Sequence, residues 1–372
     1  MRLELTVQEA SCLVMKRILP EYRDLIKTKL PFSLLDLLSP ETTRLDEYCK
    51  PFVPHPDSDA MKKSVKTFCD DFGIWLPGAE HYITCAMYLF PTAPPSRIIP
   101  VVKNNVIDFY LNDVMGREVF PHLPILQQTL YSNIKQRMAH LPHGMTLHSE
   151  ARPIEIANFR MLNDIAGTST KKWFEEFLRL YCYHIELAHK DYNSAGVGYI
   201  LSIDEYFDLR CHVSGMPHTV MLIEYSTGDF LDWDRLEQLD LTEDLQRINW
   251  VVSLIGCMMN DLFSFEKEVI DNSCDSNLVM IALLNNQEMS LKGALLTSAS
   301  IVRGLIDEFF HLLQRIRNII ADTRDESYLD HYLQGLERCV QASWVWQVYT
   351  KRYKRAQSIW RETTLMSPRT GA

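Results

Sequence analysis

Apolar residues recur at i, i+3, i+4 and i+7 along almost the whole chain, the spacing of one helical face, while alternating β-branched runs bounded by turn residues are missing. The pattern predicts an all-α protein. Breaks fall where Pro, Gly, Asn and Asp cluster, at 51–56, 91–95, 141–144, 193–198 and 321–326. Between them the periodicity predicts helices over 58–75, 97–115, 122–139, 170–189, 202–213, 244–270, 292–320 and 327–356. None of the breaks has the length or composition of a flexible linker, so a single helical bundle is expected. Residues 1–57 then form an N-terminal segment packed on the bundle, 58–356 the bundle itself, and 357–372 a partly mobile tail.

Composition narrows the function. With 372 residues, 47% of them hydrophobic, the chain can bury a large core. A formal net charge of -10 and a pI near 5.7 argue against nucleic acid as a partner. Nine scattered Cys without a C-x-x-C pair indicate neither a disulfide framework nor a zinc site, and fit a reducing compartment. The first residues lack the basic and apolar regions of a signal peptide, and no uninterrupted apolar run is long enough to span a bilayer. A cytoplasmic protein with no stable membrane anchor is expected. G-x-G-x-x-G, P-loop, G-x-S-x-G and H-E-x-x-H motifs are absent, which removes the common nucleotide folds, serine hydrolases and zincins.

The sharpest chemical signal lies inside the predicted helix 244–270. At about 100° per residue, Asn260, Ser264 and Glu268 stack on one face. A carboxamide, a hydroxyl and a carboxylate, with no His or Cys among them, suit a hard cation such as Mg²⁺. Lys267 falls close to Asn260 around the helix, and a lysine beside a metal site expects a phosphate. A solvated polar face is the plain alternative.

Three further stretches carry weaker signals. On the helix 97–115, Phe109, Asn112, Asp113 and Gly116 share an arc of about 100°. Glu118 joins them only if the helix ends near Gly116; helix capping is the competing use of such an Asn-Asp pair. Asp70-Asp71 sits at a predicted helix end without a ligand-spaced partner. Arg210 lies one turn before a break at Ser214-Gly215, where a guanidinium reads either an arriving anion or simply the helix C-terminus. Trp346 and Tyr353 are spaced i, i+7 with Arg352 beside them, as in an aromatic pocket with an anion at its mouth, or in ordinary core packing.

Taken together, the order and spacing of these motifs resemble a class I terpene synthase of the bacterial, fungal and coral type, over roughly 58–356. Asn112, Asp113 and Glu118 look like the family's D-D-x-x-x-x-E motif, with Asn in the usual first Asp position. Tyr206, Arg210 and Gly215 match Y-x-x-x-R-x-x-x-x-G. Asn260, Asp261, Ser264, Lys267 and Glu268 match N-D-x-x-S-x-x-K-E, and Trp346, Arg352 and Tyr353 a W-x5-R-Y ending. Leu89-Phe90-Pro91, ahead of the first motif, is also similar to the family.

The resemblance implies a Mg²⁺-dependent cyclase that ionises farnesyl or geranylgeranyl diphosphate and cyclises the cation to a sesqui- or diterpene. Three Mg²⁺, replaceable by Mn²⁺, would be held by Asn112 or Asp113 with Glu118, and by Asn260, Ser264 and Glu268. Arg210, Lys267, Arg352 and Tyr353 would bind the diphosphate, and Phe109, Tyr110 and Trp346 would face the cation. A prenyl diphosphate is thus the expected small-molecule partner, with a homodimer as an option. The alternatives are a chain-elongating prenyl diphosphate synthase, which would carry two aspartate-rich motifs, and a helical relative whose site has decayed.

Overall fold

The computed structural model describes residues 6–116, 119–188, 190–321, 323 and 326–365. Numbering only the longer helices, these are α1 Val7–Lys27, α2 Ser58–Asp71, α3 Pro95–Met115, α4 Ile125–Ala139, α5 Pro153–Ala166, α6 Lys171–Ala188, α7 Ile203–Val213, α8 Met216–Thr227, α9 Thr242–Phe265, α10 Leu278–Asn285, α11 Leu291–Ile320 and α12 Glu326–Tyr349. Isolated β-bridges replace strands among the described residues. The fold is the all-α bundle that the periodicity predicts.

Local chemistry sets the helix ends. Thr6 and Ser202 accept from backbone N–H groups three residues on, and Glu9 and Glu205 reach back in capping boxes. Pro95 and Pro153 occupy first-turn positions, where no N–H is needed. The helix expected over 58–75 stops at Asp71 because Gly73 takes φ 64°. α1, α5, α8 and α10 were not predicted. α10 is apolar on every side and eight residues long, so it has no periodicity to read.

Helix α9 is the axis of the bundle. It packs against α7, α8, α10, α11 and α12, and from Val251 to Met259 every residue is buried. A helix apolar all round belongs in a core. The segment Thr242–Asp271 is long and apolar enough to cross a membrane, yet 83% of its most apolar window lies inside the protein.

Helix α1 and residues 359–361 are fastened to this core. α1 lies on α10 and α11. Phe32 N–H donates to Ile359 O at 2.8 Å, Arg361 N–H returns to Phe32 O at 2.8 Å, and Trp360 is fully buried. The tail expected to be partly mobile is therefore seated as far as residue 365; 366–372 lie outside the described residues.

Candidate active site

One cavity of about 300 Å³ collects the motif residues: Phe109 and Asn112 from α3, Arg210 from α7, Asn260 from α9, and Trp346 from α12. Lys267, Glu268, Arg352 and Tyr353 reach it from irregular turns. Those turns are the first departure from helical expectation.

α9 does not continue regularly to 270; residues Glu266–Asp271 form a π-helical turn. The cause lies far away in sequence. Glu266 is buried and accepts from Tyr22 Oη at 2.7 Å, Ile359 N at 3.1 Å and Ser358 Oγ. Pinned from both chain ends, Glu266 anchors the widened turn, a feature common at functional sites, and Lys267 and Glu268 follow from it. Asn260 and Ser264 keep their one-turn spacing on α9, and only Glu268 leaves that regular stripe. Asn260 and Glu268 line the cavity, and Ser264 is fully buried.

The second departure is at the other end. α12 stops at Tyr349, and Thr350 Oγ1 accepts the Arg352 N–H at 3.2 Å to start a short 3₁₀ turn over Lys351–Tyr353. Arg352 and Tyr353 therefore do not share a helical face with Trp346, although all three line the cavity. Tyr353 Oη accepts from Asn260 Nδ2 at 2.9 Å. Arg352 Nη2 pairs with Asp113 Oδ1 at 3.2 Å, and Nη1 meets Tyr82 Oη at 3.3 Å. Burial works against the Arg352 charge, but Tyr353 and Asp113 more than offset it, so the guanidinium stays protonated.

Arg210 behaves differently from a simple helix-end cation. Its Nε donates to Asp261 Oδ1 at 2.8 Å and its Nη2 to Asn260 Oδ1 at 3.0 Å. Asp261, fully buried, also accepts from Tyr206 Oη at 2.5 Å and from Leu278 N–H at 2.8 Å. Burial raises its carboxyl, and Arg210 pulls it back. The break after Arg210 falls at Gly215, whose φ is 76°. A Cβ there would come within 2.7 Å of the His218 ring, so the hinge requires glycine twice over.

On α3, Asn112 lines the cavity and donates to Asp113 Oδ1 at 2.8 Å, while Asp113 is engaged by Arg352. Glu118 lies outside the described residues. Phe109 stacks on Tyr82 at 4.1 Å and faces Trp346 at 6.1 Å, with Arg352 over both Tyr82 and Phe109. Tyr110 does not line the cavity; it is half-buried near Tyr131 on α4. Asp70 pairs with Lys66 at an exposed helix end.

Local spacing assigned no role to four contributors. Asp261 anchors Arg210, Asn277 donates to Glu268 Oε2 at 3.2 Å, Gln347 Oε1 accepts from Asn260 at 3.3 Å, and Tyr82 backs Phe109. Only Asp261 had a readable signal, its place beside Asn260.

The donor set fits a hard divalent cation. Ser264 Oγ is buried without a hydrogen-bond partner, between the carboxamide of Asn260 and the carboxylate of Glu268 in sequence, and such orphans demand an explanation. Groups of three or more His, Cys, Asp or Glu able to hold a metal are absent among the described residues, which leaves this oxygen-only, mixed set.

Known proteins resemble this chain in sequence and in fold. Residues 109–308 match a family model described as terpene synthase family 2, C-terminal metal binding. An alpha-muurolene synthase of Coprinopsis cinerea is 23% identical over 313 residues, covering 82% of this chain and 71% of its own. Among solved structures, an a-eudesmol synthase superposes with TM-score 0.67 at 13% identity, over 80% of this chain and 96% of that one. A linalool/nerolidol synthase from Streptomyces clavuligerus gives 0.66 at 16%, over 79% and 96%. A germacradien-4-ol synthase from Streptomyces citricolor gives 0.64 at 18%, over 80% and 95%. At these identities the superpositions establish the shared helical fold.

Proposed function

Since the chain belongs to terpene synthase family 2, and so is a class I terpene synthase that uses a divalent metal and a prenyl diphosphate, we propose that it cyclises farnesyl diphosphate with Mg²⁺ at the cavity described above. The supporting observation is the lining of that cavity. Oxygen donors and cations at Asn112, Asn260, Lys267, Glu268, Arg352 and Tyr353 line it together with the aromatic rings of Phe109 and Trp346. Its volume, about 300 Å³, lies at the lower end of the usual range for ligand pockets, roughly 300–1,000 Å³, which favours the farnesyl over the geranylgeranyl chain. Residues 58–356 would make up the catalytic domain.

Asn260, Ser264 and Glu268 would hold metal on one side and Asn112 with Asp113 on the other. Three Mg²⁺, or Mn²⁺ in their place, would supply Lewis-acid charge to the leaving diphosphate. The chain's own donors do the rest. Arg352 sits over two aromatic rings beside Asp113, where its planar fork suits a bidentate phosphate contact. Arg210 Nη2 donates to Asn260 Oδ1, whose second lone pair would remain for a metal, and the guanidinium would contact the diphosphate beside it. Phe109, stacked on Tyr82, and Trp346 present π-faces to an allylic cation and exclude water from it.

The direct test supplies geranyl, farnesyl and geranylgeranyl diphosphate in turn with Mg²⁺, measuring pyrophosphate release and volatile products by gas chromatography–mass spectrometry. Release with farnesyl diphosphate, abolished by EDTA, is expected; silence with all three sinks the proposal.

Asn112 offers a second check. It keeps an oxygen but lacks the charge of a carboxylate. Asn112→Asp is expected to lower the Mg²⁺ concentration for half-maximal rate by about threefold to tenfold, an effect of order 1 kcal/mol, with kcat preserved. A loss of activity would place the metal elsewhere.

A further inference from the structure

A second cavity, of about 730 Å³, lies beside the first half of α9 and shares no lining residue with the active site. Trp250 faces it from α9, ten residues and so about 15 Å of helix axis before Asn260. Neighbouring residues divide α8 between the two spaces: Pro217, Val220 and Glu224 face this one, His218 and Thr219 the other. Its volume falls inside the usual range for small-molecule pockets, roughly 300–1,000 Å³.

Glu224 is the group that needs explaining. It is 5% exposed and lines this cavity, and its Oε2 accepts from Leu231 N–H at 2.7 Å. Oε1 has no hydrogen-bond partner among the described residues, yet unlike the orphaned atoms of the core it keeps accessible surface. No described cation pairs with this carboxylate. Arg179 is held by Glu176 at 2.9 Å, Arg97 gives Nη1 to Tyr225 O at 2.9 Å, and Lys172 is exposed. Burial drives the Glu224 carboxyl up to about 7, with the Leu231 N–H opposing. A buried carboxylate without a counter-charge is costly unless an occupant supplies one.

The rest of the lining says what that occupant is. Phe230, Trp233, Trp250 and Tyr332 bring aromatic rings to the cavity. Trp173 already stacks on Phe177 and Tyr225, and Phe230 carries Arg97 over its ring, whereas Trp233 and Trp250 are only half-buried. Asp229, Asp232 and Asp234 flank Phe230 and Trp233 in the chain, and residues 229–244 hold seven carboxylates against one guanidinium, Arg235. A field of that sign repels anions and gathers cations. Aromatic rings beside a carboxylate suit an ammonium group with an apolar body, since the rings attract the charge and cover the carbon around it.

We propose that this cavity is a second small-molecule site and takes an organic cation, its amine or quaternary ammonium group set against Glu224 and its apolar part on Trp233 and Trp250. The site stands apart from the cyclase reading and does not depend on the prenyl diphosphate assignment.

Isothermal titration of the full-length, metal-free protein with phenyltrimethylammonium, beside its neutral isostere tert-butylbenzene, tests the role of charge. Wild type should bind the cation saturably and the hydrocarbon at least about tenfold more weakly. Glu224→Gln, which can still accept the Leu231 N–H, should weaken cation binding at least about tenfold while its melting midpoint stays close to that of wild type. Trp250→Phe should weaken it by about threefold, because the smaller ring attracts a cation less. Trp346→Ala, in the active-site cavity, should leave the affinity within about twofold, as expected of a distant and independent position. Absence of saturable binding to wild type, equal affinity for the neutral isostere, or a loss in Trp346→Ala with none in Glu224→Gln would overturn the proposal.

Discussion

Glu268→Gln is expected to lower kcat by a factor on the order of 10² to 10³ while leaving the melting midpoint close to that of wild type. The two side chains are nearly isosteric, and the Gln oxygen can still accept the bond from Asn277 Nδ2, 3.2 Å away in the native protein. What disappears is a charge that the proposed metal site needs and the fold does not. Asn260→Ala should be as damaging to turnover, because Asn260 faces both halves of the clamp, accepting from Arg210 and donating to Tyr353. It should cost more stability than Glu268→Gln, since it leaves a buried Arg210 donor without its acceptor. Steady-state rates across a Mg²⁺ titration, set beside thermal melts of the metal-free variants, separate the two effects. Wild-type rates in either variant would remove this face of α9 from the mechanism.

The residues of that prediction were legible in the chain because their spacing is local: Asn260, Ser264 and Glu268 fall a turn apart on any regular helix. What spacing could not reveal is the π-helical turn that begins at Glu266. It depends on hydrogen bonds from Tyr22, Ser358 and Ile359, which only the folded chain brings there. Long-range contacts of this kind override local periodicity. The same reason hides the approach of His218 Nε2 to Asp108 Oδ2, 3.6 Å apart where α8 packs on α3. The end of α12 failed for a local reason instead. Thr350 offers the Arg352 N–H a side-chain acceptor, which competes with the helical bond and stops the helix short. The bundle itself was read correctly because amphipathic periodicity over long helices is the strongest signal a sequence carries. Helices as short and uniformly apolar as α10 carry no such signal.

Asp261→Ala should be the most destabilising single change at the site, costing about 3–5 kcal/mol. Its carboxylate accepts from Tyr206 on α7, from Arg210 one turn later, and from the first N–H of α10. Removing it strands the Arg210 guanidinium, 7% exposed, with no counter-charge on Nε, and leaves a buried hydroxyl and a buried amide unpaired. Against a total stability of about 5–15 kcal/mol this is a large fraction. Activity should fall with it, because Arg210 is then no longer held beside Asn260. Equilibrium denaturation of the metal-free protein measures the loss, and a second variant identifies its cause. In Asp261→Leu combined with Arg210→Met the buried charge is gone from both sides, so the double variant should be more stable than Asp261→Leu alone. If the double variant loses as much as the two single changes summed, the pair is not coupled and the cost belongs to packing. A single Asp261→Ala that melts like wild type would show that α7, α9 and α10 are held together without this carboxylate.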